Sequence, residues 1–500
     1  MNSSKAPWPR YPSIYEINTW VWLDELGRVQ GRTVTLASVP DRAWDSIATL
    51  GFDAVWLMGV WERSPAGIAI ANQNSDLVAD FRRALPGFGT RDNVGSPYCV
   101  RRYSVDAHLG GREGLAVARA ALRQRGMRLI LDFVPNHVAP DHPWVETHPE
   151  YFVRGSPDDR ATDPNAFVTI EDSVFARGRD PYFPSWPDVL QLNAFAPALR
   201  AAVRDTVCEI ASQCDAIRCD MAMLMLNAVF TRTWGDRAGV APRLDYWQEL
   251  IPAVEARYPE FRFLAEAYWD LEWELQQQGF AYCYDKRLYD RLEHDNAESV
   301  RLHLCADSEY QARLVRFLEN HDEPRAAATF PAERTRALAL TMLTLPGAKL
   351  IHEGQLEGRK VRVPVFLGRR PDEPVNEALR DVYCAVLRAT AGDVIRNGEW
   401  LLCERSGWTD NDSDVNIVAW CWQQGELRYV IAVNLSCVQS QGKVRVPWSE
   451  LAGSMWRLED VLSAGRFERN GDEMSGPGLY VDLAPWGCHF LELQRANSGS

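Results

Sequence analysis

The chain has 500 residues, 46% hydrophobic and 24% charged, which is the usage of a folded globular protein and excludes a disordered or fibrous one. Its 54 Lys and Arg against 68 Asp and Glu leave a net charge of −14, so phosphate backbones are repelled and no nucleic-acid partner is expected. No run of about 18 apolar residues appears, so no membrane span or membrane partner is expected.

The N-terminal text MNSSKAPWPRYPS lacks the apolar core of a secretory signal. The 11 cysteines are odd in number and form no Cys-x-x-Cys pair, which argues against a disulfide framework or a zinc site. A reducing, cytoplasmic location follows as the expectation. Nineteen Trp is a high count, and aromatic faces serve both core packing and stacking on sugar rings.

Short β-branched or aromatic runs predict strands at Ser13–Trp22, Ala54–Met58, Leu129–Phe133, Ala216–Asp220, Arg262–Glu266, Ala281–Tyr284, Val315–Leu318 and Ala348–His352. Most read as near-continuous apolar text, the mark of strands buried on both faces of a parallel sheet. Helical patterns lie between them, as at Gly114–Arg125, Pro197–Gln213 and Thr335–Leu343. Eight strands with intervening helices over about 380 residues match an α/β fold of the (β/α)8 TIM barrel type. The stretch from His137 to Asn193 is rich in Pro, Asp and Trp and too long for a strand-to-helix loop. Beyond Gly392, Val415–Trp422, Leu427–Asn434, Gly442–Val446 and Gly478–Leu483 alternate or run short between turn residues, predicting an all-β module.

Polar residues gather where the apolar strands end. LILDFVPNH places Asp132, Asn136 and His137 there; DAIRCD places Arg218 and Asp220; RFLAEAYW places Glu266; VRFLENHDEPR places Asn320, His321, Asp322 and Arg325. In a parallel barrel such ends face one mouth, where active sites are built. Two carboxyl groups about 5–5.5 Å apart suit retaining glycoside cleavage, one as nucleophile and one as acid, then base. Arg218 shares a strand face with Asp220, and its cation favours the ionised nucleophile. Glu266 sits among Phe263, Leu264, Ala265, Tyr268 and Trp269, and desolvation there would raise its pKa for general acid work.

With these residues in view, the chain resembles the α-amylase family of glycoside hydrolases, glycoside hydrolase family 13. Asp-x-x-x-Asn-His matches Asp132 to His137, Arg-x-Asp matches Arg218 and Asp220, the acid/base Glu matches Glu266, and Asn-His-Asp matches Asn320 to Asp322. Gln-Leu-Asn at 191–193 resembles a further short family motif. The resemblance implies a catalytic barrel over 1–137 and 194–392, an inserted loop domain over 138–193 and a C-terminal antiparallel β-sandwich over 393–495.

It also implies roles. Asp220 is the expected nucleophile, Glu266 the acid/base, and Asp322 the third catalytic carboxylate, binding sugar hydroxyls. His137 and His321 are expected to donate hydrogen bonds to the same sugar, with Asp132, Asn136, Arg218 and Arg325 lining the substrate site. Tyr98 is the candidate stacking platform. The implied activity is retaining hydrolysis of α-glucosidic bonds in short α-glucans or α-glucosides, without a cofactor.

Departures from the family pattern bear on specificity. Met223 and Leu224 stand where typical α-amylases carry a Lys-His pair that reaches the acceptor sugar and assists a calcium site. No metal requirement is therefore expected, and Met221, Met223 and Leu224 are expected to face the acceptor. The second strand runs into Gly59 where Pro is usual, and the eighth ends IHEGQ. Trp144, Trp186 and Trp269 are further candidate sugar platforms. Transglycosylation, or a trehalose- or sucrose-active isomerising member, uses the same residues and stays open. A magnesium-dependent lyase of the enolase type is disfavoured by Arg218 beside Asp220, and a non-catalytic carbohydrate-binding barrel by the three retained carboxylates.

Overall fold

The computed structural model describes residues 7–496. Eight parallel strands close a barrel in chain order: β1 Ser13–Asn18, β2 Ala54–Met58, β3 Arg128–Phe133, β4 Ala216–Cys219, β5 Arg262–Ala265, β6 Tyr282–Tyr284, β7 Leu314–Arg316 and β8 Ala348–His352. Helices intervene, among them Asp41–Thr49, Gly111–Gln124, Pro197–Gln213, Tyr246–Glu255 and Ala332–Thr344. Every residue of β2 and of β8 is buried. That burial on both faces is why β2 reads as an unbroken apolar run, while β8 also buries Lys349 and His352.

The first strand is shorter than Ser13–Trp22. It stops at Asn18, whose side-chain oxygen accepts from the Val21 N–H and caps a helix over Thr19–Gln30. The apolar text continues across the boundary, so periodicity missed a break that the capping residue sets.

Contacts divide the chain into two compact units. One comprises Ile14–Tyr284 with Val361–Asp372. In it, the segment after β3 is tied at its base by His137–Val138 pairing antiparallel with Leu190–Gln191. It also carries a hairpin of Phe167–Ile170 and Ser173–Ala176. The other unit comprises the chain up to Ser13, Asp285–Lys360 and the chain from Glu373 on. Its C-terminal part has two antiparallel sheets. One has six strands, in the order Glu399–Leu402, Ile417–Gln424, Leu427–Asn434, Cys488–Arg495, Met455–Asp460 and Arg466–Asn470. The other has Glu404–Ser406, Ser440–Arg445 and Leu479–Leu483. Ile417, Val430, Leu458 and Leu491 of the first share one buried cluster with Val444, Val481 and Leu483 of the second, which makes a sandwich. The Trp422 indole N–H donates to the Thr344 carbonyl at 2.7 Å, fastening the sandwich to the helix before β8.

Among the described residues, no helix is long and apolar enough to cross a membrane. All 11 cysteines are free thiols.

Candidate active site

The ends of β4 and β5 bring two carboxylates to one cation. The strands pair in register up to Cys219 opposite Ala265, so Asp220 and Glu266 are the next residues along. The register continues into the site through the Glu266 N–H, which donates to the Cys219 carbonyl at 3.0 Å. Arg218 Nη1 donates to Asp220 Oδ1 at 2.7 Å, and Nη2 lies 2.8 Å from Glu266 Oε2 as an ion pair without hydrogen-bond alignment. Arg218 is 1% exposed. Burial opposes its charge, but Glu266 first, then Tyr98, Tyr284 and Asp220, hold its pKa well above the ordinary value.

Glu266 takes two further donors, the Met221 N–H at 2.6 Å on Oε2 and the Tyr268 hydroxyl at 3.0 Å on Oε1. The apolar setting expected for this carboxyl is therefore corrected. Its chain neighbours are apolar, but the carboxylate meets a cation and two polar donors, because strand ends turn alternate side chains to opposite faces. Met221 reaches its place with φ 41°, and Trp269 and Asp270 after Glu266 adopt φ 64° and 62°. Left-handed backbone at non-glycine residues costs free energy and concentrates at functional sites.

Rings surround the Arg218 guanidinium: Trp56 at 5.4 Å, Tyr98 at 5.2 Å and Tyr284 at 5.8 Å from its carbon. Tyr98 keeps part of its surface open, whereas Trp56 and Tyr284 are buried. The loops beside Tyr98 are held by Arg63, which donates to the carbonyls of Gly95 at 2.5 Å and Gly59 at 3.2 Å. Burial pushes that guanidinium down to about 10, against the pull of Asp106 and Asp132. Gly59 has φ +76°, and a Cβ there would meet Arg63 Nη2 at 2.5 Å. The departure from Pro at the end of β2 thus makes room for Arg63.

Asp132, fully buried, binds the Gly59 N–H at 2.8 Å and the Trp56 indole at 3.1 Å. It braces the floor of the site and has no surface to offer a ligand. Asn136 is likewise buried; its amide donates to Gln191 Oε1 at 3.2 Å, and Gln191 Nε2 returns to Asn136 Oδ1 at 2.8 Å. That exchange explains the Gln-Leu-Asn text as a lock on the loop of His137. The His137 ring lies 5.2 Å from Trp186, and burial pushes its pKa down to about 4, leaving a neutral imidazole at neutral pH.

In the other unit, the segment after β7 presents Asp322 with 45% of its side chain exposed and His321 Nε2 2.8 Å from its Oδ2. Asn320 Oδ1 accepts from the N–H groups of Asp322 and Glu323, both at 2.9 Å, which fixes the turn. Arg325 is buried and committed to partners of its own unit: Glu319 at 3.0 Å, His352 at 2.7 Å and the Glu353 carbonyl at 3.0 Å. Burial pushes Glu319 up to about 7 against the opposing pull of Arg325.

Met223 is 0% exposed and Leu224 is 2% exposed, so the expected acceptor-facing role of Met223 and Leu224 is corrected. The short turn Ala222–Met225 buries its side chains, and the part-exposed residue of the expected set is Met221, next after Asp220. Trp144 packs on Tyr151 and His142, and Trp269 sits edge-on to the exposed ring of Tyr182. Sequence reasoning missed Tyr284, Trp56 and Arg63. Tyr284 ends β6, so the strand-end rule that found Glu266 was able to find it; the other two became visible only through their contacts.

The family model for the alpha amylase catalytic domain matches residues 41–168. Alpha-amylase MalA of Haloarcula japonica is 24% identical over 386 residues, 76% of this chain and 49% of that protein. An alpha-1,4-glucan:maltose-1-phosphate maltosyltransferase of Bifidobacterium longum is 27% identical over 241 residues, 48% of this chain and 26% of that protein. The chain thus spans about half the length of the first relative and about a quarter of the second. The maltogenic alpha-amylase AmyB of Thermotoga neapolitana superposes with a TM-score of 0.68 at 18% identity, covering 97% of this chain and 98% of that one. The resemblance to the α-amylase family and the (β/α)8 barrel expected from the motifs are both borne out.

Proposed function

We propose, starting from an α-amylase-type barrel, that this chain cleaves α-glucosidic bonds of short α-glucans or α-glucosides with retention, through a covalent glycosyl-enzyme on Asp220. The observation that carries the reading is the single buried guanidinium of Arg218 shared by Asp220 at 2.7 Å and Glu266 at 2.8 Å. A fixed cation keeps Asp220 ionised, as attack on an anomeric carbon requires. Glu266 gives its proton to the departing oxygen and then takes one from the attacking water. Asp322, exposed beside His321, is the third carboxylate and binds substrate hydroxyls.

Tyr98 offers the ring platform, and His137, neutral through burial, donates to the same sugar. The domain limits belong to the same reading: barrel 1–137 and 194–392, insertion 138–193, sandwich 393–495. Free thiols throughout support a reducing, cytoplasmic location.

Glycosyl transfer is the second reading. It uses the same carboxylates and differs in whether a sugar hydroxyl or water resolves the glycosyl-enzyme. Met221, part-exposed and bonded through its N–H to Glu266, puts an apolar side chain next to the nucleophile and favours a sugar over water there. A panel of maltose, maltotriose, starch, trehalose, sucrose and isomaltose, with chromatography of the products, separates the two. Glucose and shortened chains alone support hydrolysis, and longer or rearranged saccharides support transfer. No turnover of any α-glucoside overturns both.

A further inference from the structure

We propose that Cys403 and Cys421 form an oxidation-dependent disulfide, a covalent modification site that closes the edge of the C-terminal sandwich. The site is independent of the cleavage reading and lies where the chain crosses between the two sheets. Glu399–Leu402 is an outer strand of the six-stranded sheet, and Glu404–Ser406 an outer strand of the three-stranded one. Cys403 is the single residue between them. It is also the one buried residue of 399–407, at 5% exposed. Its N–H donates to the Ala419 carbonyl at 2.9 Å, and its Sγ lies 3.0 Å from Cys421 Sγ.

Strand pairing brings the two thiols together. Leu401 stands opposite Cys421 and Leu402 opposite Trp420, so Cys403 comes next, opposite Ala419 and diagonal to Cys421. Ile417, Ala419 and Cys421 alternate along one strand and turn the same face to the sandwich interior. Both cysteines belong to the buried cluster that holds Val430, Val444 and Leu491. Burial, reinforced by the neighbouring Cys403, pushes the Cys421 thiol well above its ordinary range, so it stays protonated while the edge is closed. A bond asks the two sulfurs to approach by about 1 Å, a movement within reach of side-chain rotation.

The edge supplies the access that burial denies. No residue of Glu399–Leu402 or of Glu404–Ser406 is buried, so Cys403 is the one buried side chain holding this ribbon down. Segments with few buried contacts open far more often than the whole domain unfolds. In the opened ribbon the Cys403 thiolate attacks hydrogen peroxide; the O–O bond breaks, leaving a sulfenic acid on Cys403 and a hydroxide that takes up the thiol proton. The Cys421 sulfur then attacks the Cys403 sulfur, the S–O bond breaks, and the oxygen leaves as water with the Cys421 proton. Two thiols and one hydrogen peroxide become one disulfide and two waters. In a reducing compartment the pair rests as thiols, and thiol exchange reverses the bond.

The test uses the full chain, reduced, desalted and exposed to hydrogen peroxide, then alkylated in guanidinium and digested with trypsin without reductant. Cleavage after Arg405 separates the two cysteines, so their peptides run joined, lighter by two hydrogens, only where the bond has formed. The joined peptides should appear in the parent, vanish with dithiothreitol and be absent from Cys403→Ser, whose Cys421 stays open to alkylation. In the native chain, trypsin cleavage after Arg405 tracks the opened edge, and oxidation should slow it at least about tenfold, with dithiothreitol restoring the rate. Four results overturn the proposal. They are Cys403 and Cys421 both alkylated once the exposed Cys305 and Cys437 have oxidised, Cys403 joined to a different cysteine, equal oxidation of the buried Cys214 and Cys219, and an unchanged cleavage rate. Should Cys403→Ser fail to fold, the parent's peptide map and cleavage rate decide alone.

Discussion

The end of β4 and β5 and the end of β7 hold their carboxylates by opposite means. At the first, Asp220 and Glu266 keep only 9% and 4% of their side chains exposed and lean on one buried guanidinium. At the second, Asp322 keeps 45% and is placed by a backbone turn around Asn320. Burial makes a charge strong and costly at once, since each member must be paired to be tolerated. Exposure makes a carboxylate cheap to hold and quick to meet a ligand. The difference teaches that electrostatics fixes the pair, whereas a local turn fixes the third carboxylate.

That contrast can be broken one member at a time. Asp220→Asn removes the proposed nucleophile and should lower kcat by about 10⁴-fold or more, with the fold retained. A mechanism-based fluoro-sugar should label Asp220 in the parent, and label on another carboxylate would overturn the assignment. Asp322→Asn should lower kcat/KM by about 10²–10³-fold through lost transition-state contacts. Being exposed, it should leave the melting temperature unchanged, and a large drop would show that Asp322 is structural.

Arg218→Met tests the buried side. It strands two carboxylates in a box of Trp56, Tyr98 and Tyr284 and should cost about 3–5 kcal/mol in urea unfolding. A loss under about 1 kcal/mol would show that solvent already screens the pair.

The smallest effect concerns pH. Burial lowers His137 and His142 to about 4 from an ordinary 6.5. The unfolded chain then binds more protons between those values, so their share of stability is full above about 6.5 and is lost as pH falls through about 4. Each imidazole should contribute roughly 2–3 kcal/mol to that decline. His142→Gln should flatten the fall in denaturant midpoint between pH 6.5 and 4, and an unchanged slope would refute it.

Much of the fold was legible. The bounds of β2 and β8 are legible to the residue: β2 is unbroken apolar text, as burial on both faces demands, and in β8 the apolar Ala348, Leu350 and Ile351 outweigh the buried Lys349 and His352. β1 was overrun because Val21 and Trp22 continue that text, while the Asn18 cap turns it into a helix. The sharing of Arg218 with Asp220 was legible from the two-residue spacing. Its second grip on Glu266 was not, since that depends on the register between β4 and β5.

What the sequence determined by itself was periodicity and order: apolar runs, the polar residues that end them, and hence a barrel with carboxylates at its strand ends. Tertiary structure alone decided which of those residues meet open space. Asp132, Asn136, Arg325 and Met223 stand at strand ends as Asp322 does, yet they are buried where Asp322 is open. A strand or turn fixes where a side chain begins. What it touches is set by the neighbouring strands, loops and rings, whose distances along the chain, such as the 55 residues between Asn136 and Gln191, no local pattern encodes.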